Sequence, residues 1–138
     1  MSSTVLMSDA SRSSQLTRGF YEIQDNSWRW VAPKFNLALG SPPGAARNGA
    51  WLVLKFGLPD ASLNALKTIT VAAKVGGVAL PAEAFTTAGE HTYRREVPAS
   101  AFTKDPVGLD FTVDKFLTPP NDGRNLALVV SSIALEAK

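Results

Sequence analysis

Few residues of this 138-residue chain could do chemistry: one histidine, two aspartates at alternating positions, and a small set of tryptophans and tyrosines. His91 could serve as a general base. In an extended segment it shares a face with Tyr93 and Val97, because strand side chains alternate. No nucleophile accompanies it at a fixed spacing, and there is no G-x-S-x-G elbow, phosphate-cradling glycine loop or H-E-x-x-H pair. The residue therefore reads as the end of a core-facing row, bonded to backbone. Asp110 and Asp114 resemble a carboxylate pair, but glycosidase carboxylates stand about 5–9.5 Å apart across a cleft. Four residues along a strand span about 13 Å, so the two aspartates read as a solvated face. No catalytic residue is expected, and the chain reads as a non-enzyme.

The aromatic residues point elsewhere. Trp28-Arg29-Trp30 places both indoles on one strand face and the guanidinium on the other. Trp51 and Val53 fall on the open face of a segment whose inward row is Leu52, Leu54 and Phe56. Tyr21, next to Phe20, is a further candidate for exposure. Sugar rings have apolar C–H faces that stack on flat aromatic rings, and carboxylate or guanidinium groups bond their hydroxyls. The saccharide platform read from these residues has Trp51, Trp28, Tyr21 and Tyr93 as stacking groups, with Glu22, Arg29 and Arg124 as polar contacts. The competing reading is packing. Trp28 and Trp30 together suit the space between two sheets. Asp122-Gly123-Arg124 can lock a loop through a bidentate ion pair that also engages Glu22.

Composition removes other classes. Cysteine is absent and histidine occurs once, which rules out disulfides, Cys-ligated metals and a multi-histidine zinc site. The acidic residues are dispersed, with no loop resembling a calcium cage, so no metal and no cofactor is expected. Fourteen Lys and Arg face twelve Asp and Glu, scattered along the chain for a net charge of +2. A nucleic-acid binder gathers its cations on one face, so nucleic acid is not an expected partner. No apolar run reaches the ~18–20 residues of a membrane span, so no membrane insertion is expected.

The elements that must position these side chains are strands. Residues 1–15 are serine-rich and aperiodic and read as a flexible arm without an export signal, which makes the cytoplasm the expected location. Beyond them, apolar residues alternate strictly over 34–39, 51–56, 68–75 and 107–114, the pattern of a sheet with one buried face. Less regular strands are expected at 17–23, 27–32, 78–81, 91–97 and 125–136. In the last, Leu126, Leu128 and Val130 share one parity, and Ile133 and Leu135 the other. Either both faces are covered or a bulge near Ser131-Ser132 resets the register. Gly76-Gly77 suits a tight hairpin. Ala61–Leu66, entered from Asp60 or Ser62, and Pro98–Ala101 suit single helical turns. The expected fold is one antiparallel β-sandwich over residues 16–138, jelly-roll-like or immunoglobulin-like, with about eight or nine strands.

Several short motifs carry a family resemblance. Gly19-Phe-Tyr-Glu22, Trp28-Arg-Trp30, the F-x-L-x-L of Phe35–Leu39, Gly89-Glu-His-Thr-Tyr93, and a closing Asp122-Gly-Arg-x-Leu126 with Ser132-Ile-Ala-Leu135 resemble a bacterial β-sandwich module. That module accompanies glycosyltransferases and surface-polysaccharide machinery. Its architecture is similar to carbohydrate-binding modules, including the O-antigen-binding domain of polysaccharide ABC transporters. The resemblance, over roughly residues 17–137, implies a non-catalytic, lectin-like sandwich tied to bacterial glycans. The alternative is an assembly module, a homo-oligomer or a docking unit, in which Trp51, Val53 and the doubly apolar last strand form an interface.

Overall fold

The computed structural model describes residues 1–138. Ten strands are present: β1 (Thr4–Leu6), β2 (Leu16–Gln24), β3 (Trp28–Leu39), β4 (Ala50–Leu58), β5 (Ile69–Val75), β6 (Val78–Ala79), β7 (Glu83–Phe85), β8 (Gly89–Val97), β9 (Val107–Val113) and β10 (Leu128–Ala137). Two short helices, α1 (Ala45–Asn48) and α2 (Asp60–Leu66), and two 3-10 turns interrupt them. All pairings are antiparallel, in the order β6-β5-β9-β3-β10-β4-β8, with β7 also on β5, β2 on β3 and β1 on β10. The sheet curls over itself into a jelly-roll-like antiparallel sandwich. One layer is built on β2, β3, β9 and β5, the other on β1, β10, β4 and β8.

Two strands make the curl by changing partners partway along one edge. β3 keeps β2 on one side throughout. On the other it pairs with β10 over Arg29–Val31 and with β9 over Lys34–Leu39. Pro33 stands between the two ladders, where its missing N–H costs no hydrogen bond. The segments expected as separate strands at 27–32 and 34–39 are therefore one 12-residue strand. β10 keeps β4 on one side and passes from β3 to β1 on the other. Its register with β4 slips between Val130 and Ser132, which is the bulge expected from the change of parity. Ser131 is used at that point: its carbonyl accepts from the Met7 amide at 2.9 Å and its hydroxyl donates to the Lys55 carbonyl at 3.1 Å.

The inward rows meet in one cluster of 32 buried residues, including Phe35, Leu54, Phe56, Val71, Leu109 and Ile133. Phe35 stacks on Phe111 at 4.8 Å between ring centres, and Phe20 meets its edge at 5.4 Å. The Gly76-Gly77 hairpin forms as expected, with φ of +55° and +84°. α2 begins on Pro59, with neither Asp60 nor Ser62 capping it through a side chain. The Ser62 hydroxyl is instead buried without a partner.

The serine-rich segment 1–15, expected as a flexible arm, is built into the sandwich. β1 pairs with β10, and Val5 and Met7 are each 1% exposed. The Ser2 carbonyl accepts from the Gly40 amide (2.9 Å) and from buried Gln15 (3.0 Å). Two apolar residues at alternate positions are enough to anchor a three-residue strand, a signal too short to stand out among serines. Met7→Ala should therefore cost about 2–5 kcal/mol, as for other buried large-to-small changes. The urea midpoint checks this, since truncation in a mobile arm would leave it unmoved.

Candidate functional site

The tight β2–β3 connection sets the first side of the site. Asp25 and Asn26 both take left-handed φ values, of +50° and +51°, which their short polar side chains tolerate. The chain re-enters the sheet at Trp28, so Trp28 and Trp30 project from the outer face while Arg29 and Val31 take the core side. Across the ladder Trp30 pairs with Val129, Val129 with Gly57, and Gly57 with Glu90. Gly57 is the one position on the outward parity of β4 without a side chain, after Trp51, Val53 and Lys55. A Cβ there would approach the Glu90 carboxylate at 3.2 Å.

The result is a shallow depression of about 260 Å³ lined by Trp28, Trp30, Gly57, Pro59, Glu90 and Val129, among others. The two indoles meet at right angles (84°) with centres 6.4 Å apart, forming a corner. Both are half-buried, so each is held in place while keeping a surface toward solvent. Glu90 is exposed and has neither an ion-pair nor a hydrogen-bond partner. The volume lies just under the ~300–1,000 Å³ of pockets that enclose a drug-sized ligand. Such a site suits a flat ring resting on the surface. A roomier cleft, about 450 Å³, lies between Ser41–Arg47 and Phe102–Asp105. Its aromatic ring is buried and its carboxylate is engaged, Asp105 accepting from the Ser41 amide at 3.0 Å. The tryptophan corner has the better recognition chemistry despite its smaller size.

The residues read from the sequence as a single platform separate into five places. Trp28 lies in the corner. Trp30, read as packing between sheets, stands beside it on the outer face. Trp51 is on the same outer face, six residues and about 20 Å along β4 from Gly57. Its ring carries the Arg94 guanidinium at 3.8 Å and the Lys138 ammonium at 5.2 Å. These cation–π contacts cover part of the ring that a stacked sugar would use. Val53, beside it, is 6% exposed.

Tyr21, Glu22 and Arg124 form a separate structural cluster. Arg124 grips Asp122 with contacts of 2.8–3.2 Å, reaches Glu22 at 3.7 Å and covers the Tyr21 ring at 5.6 Å. The Tyr21 hydroxyl donates to the Asn125 carbonyl and accepts from its amide. Arg124 holds the Asp122 carboxyl below its ordinary value, chiefly by side-chain hydrogen bonding. Its own guanidinium is raised in return. These contacts make the loop lock anticipated from Asp122-Gly-Arg124. Arg29 points to the core side, donating to the Tyr21 carbonyl (2.9 Å) and the Ser13 hydroxyl (3.1 Å). Burial lowers its pKa. It is spent on tying the first 3-10 turn to β2.

Tyr93 is fully buried, and its hydroxyl donates to the Pro81 carbonyl at 2.6 Å. It lies on the inward face that the His91 parity implied, which removes it from any stacking role. His91 packs near Phe56 and Phe85, with Nε2 2.7 Å from the Thr87 carbonyl. Asp110 accepts from the Asn36 amide group and Asp114 from the Thr70 backbone. Sequence reasoning missed Glu90, Gly57 and Val129 as site residues. The available signal was Gly57, an outward strand position without a side chain. Its partners come from strands whose pairing cannot be read locally.

No family model and no curated protein matches the chain. Among solved structures, it is similar to a family 35 carbohydrate binding module from Clostridium thermocellum, at 14% identity and a TM-score of 0.53. The match covers 97% of this chain and 98% of that one. The likeness is one of fold. The glycosyltransferase and transporter setting implied by the motifs has no counterpart among these matches.

Burial of Tyr93 gives a test that separates core from platform. Desolvation raises its pKa above the ordinary 10.0, so the folded state keeps the proton that the unfolded state releases. Its contribution to stability is thus complete below about pH 10 and declines as pH rises beyond it. Tyr93→Phe should cost about 1 kcal/mol at pH 7 through the lost hydrogen bond. It should also flatten the loss of stability as pH rises above about 10. Denaturant melts across this range measure both effects, and a solvent-facing tyrosine would give neither.

Proposed function

We propose that this chain is a non-catalytic carbohydrate-binding module whose ligand lies in the Trp28–Trp30 corner. The observation that carries the reading is the geometry of that corner: two perpendicular, half-buried indoles around a floor opened by Gly57, with an unpaired carboxylate at the rim. One indole face can stack on the apolar face of a pyranose ring, and Glu90 can accept from its hydroxyls. Half-burial fixes both rings before the ligand arrives, so little side-chain entropy is lost on binding. The full-length likeness in fold to a carbohydrate-binding module supports the same reading.

Tryptophan fluorescence and calorimetric titration against a panel of neutral, amino and acidic oligosaccharides test it. At least one saccharide should bind and perturb the emission. Trp28→Ala should weaken that binding about tenfold, corresponding to ~1.4 kcal/mol of lost stacking. Gly57→Val, which fills the floor and crowds the Glu90 carboxylate, should do the same, while Trp51→Ala should leave affinity within about twofold. Binding that survives Trp28→Ala and Gly57→Val but is lost with Trp51→Ala would move the site to the other end of the face.

A further inference from the structure

The charge of the tryptophan corner is one-sided. Glu90 is the only ionisable residue among those lining it, with no lysine or arginine to offset it. Its carboxylate lies over Gly57 and forms no ion pair within 4.0 Å; the nearest cation on the same face of β4 is Lys55, two residues from Gly57 and opposite Thr92. The nearest neighbours across the ladder, Gly57 and Val129, carry no charge. The walls add to this polarity. Two half-buried indoles line the corner, set edge to face at 84°, and an open indole face attracts a cation placed over it. The other large aromatic on this sheet face, Trp51, is already covered by Arg94 and Lys138. The protein thus supplies its own cations to one indole and leaves the Trp28–Trp30 pair without any.

From this arrangement we infer that the corner selects sugars bearing a free amine, such as glucosamine- or galactosamine-type units, over neutral ones, and rejects uronic acids. The inference rests on the carbohydrate-binding reading and specifies its ligand class. In the bound state the pyranose C–H face lies on one indole. The ammonium group sits between the second indole and the Glu90 carboxylate, replacing water around both. An acidic sugar in the same pose brings a second carboxylate against Glu90 with nothing to compensate it. Because Glu90 is exposed, the gain is that of a solvent-screened ion pair strengthened by the ring, about fivefold in Kd.

The test compares saccharide pairs that differ only in N-acetylation, in both gluco and galacto configuration, together with uronate oligomers of equal length, titrated into the full chain at low salt. The expected result is that the free-amine member of a pair binds about fivefold tighter than its acetylated partner, with uronates weakest. Glu90→Gln should bring the amine-to-acetyl ratio close to one, and raising the salt to about 0.5 M should lower it. Equal binding of the paired sugars, tighter binding of uronates, or a ratio that persists in Glu90→Gln would overturn the amine preference while leaving carbohydrate binding intact. If no saccharide of any charge binds, the proposed function itself fails. Binding of choline chloride with no saccharide binding would assign the corner to a methylated ammonium and overturn the sugar assignment.

Discussion

A strand has two edges, and β3 uses one of them twice. Over Arg29–Val31 it completes the layer built on β10, and over Lys34–Leu39 it completes the layer built on β9. Both layers are therefore tied through a single continuous backbone, and the angle between them is set by the twist of one strand. Pro33 marks the changeover because it has no donor to waste there. The inward row of β3, with Phe35 at the centre, lies against both halves of the core. The outward row at its N-terminal end is Trp28 and Trp30. The stiffness of the site and the closure of the sandwich thus have the same origin.

The second change of partner, on β10, has an equally direct effect. Without the bulge at Ser131, the residues that follow would present the opposite faces, and Ile133 and Leu135 would leave the core. The slip lets one strand align Val129 between Trp30 and Gly57 and still bury its far end. It also makes room for β1, which fills the edge that β3 vacates. What looks from the sequence like a strand apolar on both faces is one buried face with a shift in the middle. Its apolar character is satisfied within the chain.

The sandwich was legible because alternation is a local property: Leu52, Leu54 and Phe56, or Leu109, Phe111 and Val113, declare their inward face without reference to any other segment. The loop lock of Asp122 and Arg124 was legible for the same reason, since its members are two residues apart. The binding corner was only half legible. Trp28 and Trp30 announce a shared face, but nothing local says which side is core. Parity on β3 is settled by Val31, whose burial depends on β10 and β2. Glu90 and Gly57 become neighbours only through the β4–β8 ladder, across more than thirty residues of chain. The burial of Tyr93 was not legible, because a polar tip on a large side chain is equally at home bonded to a buried carbonyl.

β8 closes the strand order, and no strand takes its outer edge. Its backbone donors and acceptors on that side form a template nine residues long, the kind of surface on which polypeptides template fibrils. Glu90, Arg94, Arg95 and Glu96 place charged side chains along it, a device that discourages edge-to-edge pairing. The carboxylate proposed to choose the ligand is thus also one of the charges that guard this edge. Replacing this carboxylate to change specificity would also thin the defence of a nine-residue unpaired edge against amyloid-like growth.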